Sequence, residues 1–152
     1  MKTVADPAVL RSLVSRLEAL RPESVRRWGS LSPQEMLCHL GDATDMVLRR
    51  RQRSTPALPR ARTMLKLLAL WSPLRWPHGR ATNPILDPKA GGTRPSVFAQ
   101  DLERAVAGLE SIAVATSGTL EPAHGLFGSM SLADWQRWAY KHTDHHLRQF
   151  SL

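Results

Sequence analysis

Trp135-Gln-Arg-Trp-Ala-Tyr-Lys-His-Thr-Asp-His-His-Leu-Arg-Gln149 is the stretch that decides the architecture. It holds no proline or glycine. Trp135, Trp138, Ala139, His142, His146 and Gln149 recur at steps of three and four, which predicts a helix with one inward stripe. Ser131-Leu-Ala-Asp134 in front of it supplies an N-terminal cap. His142 and His146 lie four apart and so stack on one face, one turn apart. Two imidazoles in that relation can share one metal ion.

Three further helices are predicted upstream. Ser32-Pro33-Gln34-Glu35 is a capping box with proline at the first helical position. The helix it opens is expected to run to about Arg50, with Met36, His39, Leu40, Ala43, Met46 and Val47 on one stripe, which turns His39 inward. Asp6-Pro7 starts an earlier helix marked by Leu10, Leu13, Val14, Leu17 and Leu20 and ended by Pro22. Phe98, Leu102, Ala105, Leu109 and Ile112 mark a third long helix over 96–115. Residues 117–129 read as a connector, no strand pattern competes, and no internal repeat is visible. The expected fold class is all-α, a four-helix bundle formed by one domain spanning 1–152.

Between the second and third long helices, residues 51–95 carry seven prolines and Gly91-Gly92. This Pro- and Arg-rich insertion reads as loop apart from a short amphipathic helix over Thr63–Trp71. Residues 49–94 hold eleven Lys or Arg and one acid, Asp87, a balance of +10, whereas the rest of the chain balances at −2. The basic character therefore belongs to one segment. Arg75, Arg80 and Arg94, interspersed with Trp71 and Trp76, suit a lid whose guanidiniums hold carboxylate or phosphate groups; a solvated loop with a hydrophobic anchor fits the same composition. Arg49-Arg-Arg-Gln-Arg53 would attract a phosphate backbone or an anionic membrane surface, so a basic nucleic-acid or anionic-surface binding module is a rival reading. No helix-turn-helix, zinc-finger or stacking-platform signature accompanies it, which argues against nucleic acid as the partner. The basic stretch around Lys66 is too short and sparsely charged for membrane binding.

At 152 residues with 42% hydrophobic and 22% charged content, the chain can bury one real core. The lone Cys38 excludes an internal disulfide and suits a reducing cytoplasm. It neighbours His39 but lies about 100° round the helix, so a buried structural role is expected. No signal peptide and no transmembrane span is read, because charges interrupt the first twenty residues and apolar runs are short.

The inward histidines of two helices pose a cost that one ion removes, because unpaired polar groups in a core are unfavourable. His39, His142 and His146 are the expected ligands of a divalent metal, leaving a position open for water or substrate. His145 competes with His146 and otherwise packs at the edge or bonds Asp144 or a solvent group. Asp42, one turn beyond His39, is a candidate to orient an imidazole, with an exposed carboxylate as the plain alternative. Gln149 is a third candidate for that outer role. His78 and His124 fall in loops.

On Arg27-Trp28-Gly29-Ser-Leu-Ser-Pro33-Gln-Glu-Met36-Leu-Cys-His39, on His124-Gly-Leu-Phe127-Gly128-Ser-Met-Ser131 and on Trp135 through Phe150, the chain resembles the DinB-like (YfiT-like) superfamily of metal-binding four-helix bundles. The branch it resembles has no known function. The resemblance implies an up-down-down-up bundle and one histidine from the second helix. It implies two more, four apart, from the last helix, followed closely by Arg and Gln. Here those are His39, His142 and His146, with Arg148 and Gln149. It further implies zinc or nickel as the metal, a low-molecular-weight thiol as partner and transfer of that thiol to a small-molecule substrate. Metal-dependent hydrolysis at the same site is the alternative chemistry. A non-catalytic bundle whose histidines fill a polar core, within a homodimer or alone, is the rival from a different class.

Overall fold

Two capping boxes fix where the site-bearing helices begin. Ser32 Oγ accepts from Glu35 N at 3.2 Å while Glu35 Oε2 accepts from Ser32 N at 2.7 Å. Ser131 and Asp134 repeat the arrangement at 3.1 and 3.0 Å. Each box satisfies two backbone N–H groups that a helix start otherwise leaves without partners. The computed structural model describes residues 1–52, 63–79 and 82–152.

Among the described residues the protein is mostly helical, with five α-helices: α1 Pro7–Glu18, α2 Pro33–Val47, α3 Thr63–Trp71, α4 Phe98–Ala113 and α5 Leu132–Leu147. Single 3-10 turns cover Pro84–Leu86 and Arg148–Phe150. None of these helices is long and apolar enough to cross a membrane.

The long helices stop earlier than the sequence pattern predicts. α2 ends at Val47 rather than near Arg50. Arg49 turns left-handed at φ 61°, and the Arg50 and Arg51 amides both donate to Asp45 O instead of continuing the helix. α4 likewise occupies 98–113 rather than 96–115, and Val97 makes no side-chain cap. Two segments read as loop hold structure: the turn Pro84–Leu86, and a two-residue antiparallel ladder pairing Ala123 with Ser129 and His124 with Gly128.

α1, α2, α4 and α5 enclose one core that includes Leu13, Leu17, Met36, Leu40, Leu109, Ile112, Trp135 and Leu147. Each such side chain contributes roughly 1.5–3 kcal/mol on full burial. α2 is buried almost all round, because it packs extensively on α4 and also meets α5 and the turn Pro84–Leu86. Gly108 makes the α2–α4 approach possible, since a Cβ there would collide with Thr44 Oγ1. α3 docks on the start of α5: Trp71 Nε1 donates to Asp134 Oδ1 at 2.7 Å and Lys66 Nζ to Asp134 Oδ2 at 3.0 Å.

Candidate metal centre

α2 and α5 bring three imidazoles to one point. No two of the ligand atoms offered by His39, His142 and His146 are more than 4.8 Å apart. His39 Nε2 lies 3.1 Å from His142 Nε2, and the His146 ring centroid is 4.7 Å from that of His39 and 4.8 Å from that of His142. An ion about 2.0–2.1 Å from each nitrogen would hold them about 3.3 Å apart in a tetrahedral arrangement. His39 and His142 already stand near that spacing, and the donor set fits a divalent ion once the widest pair, within 4.8 Å, closes by up to about 1.5 Å.

The ring orientations are set by carbonyl oxygens, which can only accept. His39 Nδ1–H donates to the backbone oxygen of Leu86 at 2.8 Å, and His146 Nδ1–H donates to Gln149 Oε1 at 2.9 Å. Each bond places the ring proton on Nδ1 and leaves Nε2 with a free lone pair. His142 is held by stacking on Trp138, with centroids 4.5 Å apart and planes 18° from parallel. Burial lowers the pKa of His39, although the Leu86 carbonyl opposes it, and pushes His142 and His146 well below the ordinary histidine value. All three are thus neutral near pH 7, the form that ligates metal.

Aromatic rings roof this cluster. Trp76, from the 51–95 insertion, lies 6.2 Å from His142 and 6.1 Å from His145 between centroids. His78 stacks on Trp28 at 3.7 Å, closing the 51–95 insertion onto the segment before α2. His145 sits under that stack, 4.7 Å edge-on from Trp28. It does not bond Asp144, whose carboxylate is taken by Arg16 and Arg148 at 2.9 Å each. Its Nδ1 is buried with no hydrogen-bond partner among the described residues, and burial lowers its pKa to about 4. His124 stays outside the cluster, where its Nδ1 accepts from Leu126 N at 3.0 Å and its ring stacks on Phe127.

Asp42 departs from both sequence expectations. It is neither exposed nor hydrogen-bonded to an imidazole; it is fully buried and both oxygens are engaged elsewhere. Oδ1 accepts from Arg104 Nη2 at 2.7 Å, Arg51 Nη1 at 3.2 Å and Thr93 Oγ1 at 2.6 Å, and Oδ2 accepts from Thr93 N at 2.7 Å. Burial alone would raise its pKa, but the Thr93 hydrogen bonds and the Arg104 guanidinium hold it below the usual carboxylate value. The orienting role falls to Leu86, a backbone carbonyl with no sequence signature. Arg51 and Arg104 were not among the expected site residues; the burial of Asp42, which requires facing cations, is seen only in the fold.

Arg75 and Arg94, expected to hold anions, are exposed, and Arg80 lies outside the described residues. Cys38 is buried, and burial, with Asp101 nearby, raises its pKa to about 12, so it is no nucleophile.

No curated protein and no solved structure matches the chain. A family model matches residues 7–151, nearly the full length. The chain belongs to that family, described as a protein of unknown function (DUF1569).

Proposed function

We propose that the protein is a divalent-metal-binding four-helix bundle of the DinB-like type, with His39, His142 and His146 ligating one zinc or nickel ion. The observation that carries this reading is the pair of anchored imidazoles. Leu86 O and Gln149 Oε1 lock the protons of His39 and His146 on Nδ1, so both free nitrogens are available beside His142. Metal-ligating histidines are usually held through the other ring nitrogen in this way.

Lewis acidity is the chemistry such an ion supplies, making a thiol or, in the hydrolytic alternative, a water acidic at neutral pH. The reading is a transferase that uses a low-molecular-weight thiol, working in a reducing cytoplasm. With Cys38 buried, the sulfur must come from a bound small molecule. Trp76 and the Trp28–His78 stack limit water at the site, which strengthens electrostatic interactions inside it. Neutral His145 faces that roof without adding charge.

One observation favours a second reading. The 3.1 Å separation of the His39 and His142 Nε2 atoms is also the length of an N–H···N hydrogen bond, as a non-catalytic polar core would have. Thermal melting of untagged protein with and without chelator separates the two. A metal bound only by the folded state raises the midpoint, and chelator removes that gain. An identical midpoint with chelator and with added zinc supports the polar core.

A further inference from the structure

We propose that Arg51 is a positioning residue for the histidine centre: it fixes the loop whose Leu86 carbonyl selects the tautomer of His39. The inference rests on the metal-binding reading only where zinc affinity is the readout; the positioning of the ring is independent of it.

Arg51 joins four acceptors that would otherwise move separately. Nη2 donates to the backbone oxygens of Ile85 at 3.0 Å and Gly91 at 2.7 Å. Nη1 donates to Asp42 Oδ1 at 3.2 Å and Thr93 Oγ1 at 3.4 Å. Ile85 O is one peptide before Leu86 O, the acceptor for His39. Asp42 is three residues beyond His39 on α2, so α2 carries both the histidine and the anchor of the loop that orients it.

The loop behaves as one unit because it is tied to itself. Gly91 N donates to Pro84 O at 2.9 Å, and Ala90 N and Gly92 N donate to Asp87 O at 2.9 and 2.8 Å. A Cβ at Gly92 would lie 2.7 Å from the Asp87 carbonyl carbon, closer than any side chain tolerates. Arg51 therefore grips both ends of a closed loop, at Ile85 and Gly91. Moving Leu86 O away from His39 requires breaking that grip. Only a planar guanidinium offers enough fixed donors for this, whereas a lysine ammonium is a compact point charge. Asp42 keeps Arg104 when Arg51 is removed, so the helix pair retains its charge partner.

The test uses the full-length, metal-stripped chain and its Arg51→Ala and Arg51→Lys variants, with Arg11→Ala on α1 as an exposed control. Nitrogen NMR of the imidazole rings reads the tautomer of His39, zinc titration reads affinity, and circular dichroism reads helix. Wild type is expected to hold His39 in the single Nδ1–H form. Arg51→Ala is expected to mix tautomers and to bind zinc about 10–100-fold more weakly at unchanged helicity, the usual effect of removing an outer-shell partner. Arg51→Lys falls between, and Arg11→Ala matches wild type. If Arg51→Ala does not fold, Arg51→Lys decides by the same tautomer readout. A wild-type tautomer in the folded Arg51 variants overturns the proposal. Failure of wild type to bind zinc would sink the metal reading while the tautomer readout still decides the role of Arg51.

Discussion

Gly29 lies directly against Gln149: a Cβ built on Gly29 would meet Gln149 Nε2 at 2.6 Å. Gln149 Oε1 in turn accepts from His146 Nδ1 at 2.9 Å. Gly29 also sits at φ 88°, a conformation that side-chain-bearing residues adopt at a cost. The glycine of the Arg27-Trp28-Gly29 segment thus holds space for the amide that orients His146.

Gly29→Ala is expected to cost about 1–2 kcal/mol in stability from the left-handed backbone alone. Displacement of Gln149 adds a loss of zinc affinity of about tenfold or more. Urea unfolding and zinc titration read the two effects separately. Gln149→Leu should reproduce the affinity loss without the backbone cost.

Asp42 ties α2 to α4 and to the 51–95 insertion from a fully buried position. Asp42→Asn removes the charge that two arginines face. A destabilisation of about 3 kcal/mol is expected, at the low end for a broken buried pair because Arg104 keeps Asp45 at 2.6 Å. Denaturant melts at constant slope measure it. A change within experimental error would show that the network contributes no net stability.

Acid should destabilise the metal-free protein below about pH 6.5, before its carboxylates titrate. His39, His142 and His146 have folded pKa values lowered by burial, and His145 falls to about 4. The unfolded chain therefore binds protons first as pH falls. Stability is fully present above the unfolded value and is lost below it, by about 1.4 kcal/mol per pH unit for each buried histidine. Asp42 and Asp134, lowered in the folded state, hold their contribution down to about pH 4 and lose it below that. Unfolding midpoints at pH 7.5 and 5.0 check the slope, and His142→Gln should flatten it.

The starts of α2 and α5 were legible because their capping chemistry is local, whereas α4, without a side-chain cap, begins two residues later than its pattern suggests. Ser32 with Glu35, and Ser131 with Asp134, carry their own hydrogen-bond partners within four residues. Helix ends were not, since α2 stops where Asp45 O captures two amides beyond it, which no periodicity records. The histidine cluster was legible from the spacing of His142 and His146 and from the inward stripe of His39. What orients it was half legible. Gln149 continues the α5 stripe, but Leu86 acts through a backbone oxygen 47 residues from His39 in the chain. Arg51 was one base in the cluster Arg49-Arg-Arg-Gln-Arg53, and Arg104, the single base on α4, carried no mark of a partner; only the fold turns these two toward Asp42.

Zinc titration into metal-stripped, untagged protein tests the shared-ion claim most directly, with His39→Ala, His142→Ala and His146→Ala as parallel samples. One ion per chain in wild type, and loss of stoichiometric binding in each variant at retained helical content, is the predicted result. Undiminished binding in all three variants, or none in wild type, would contradict it.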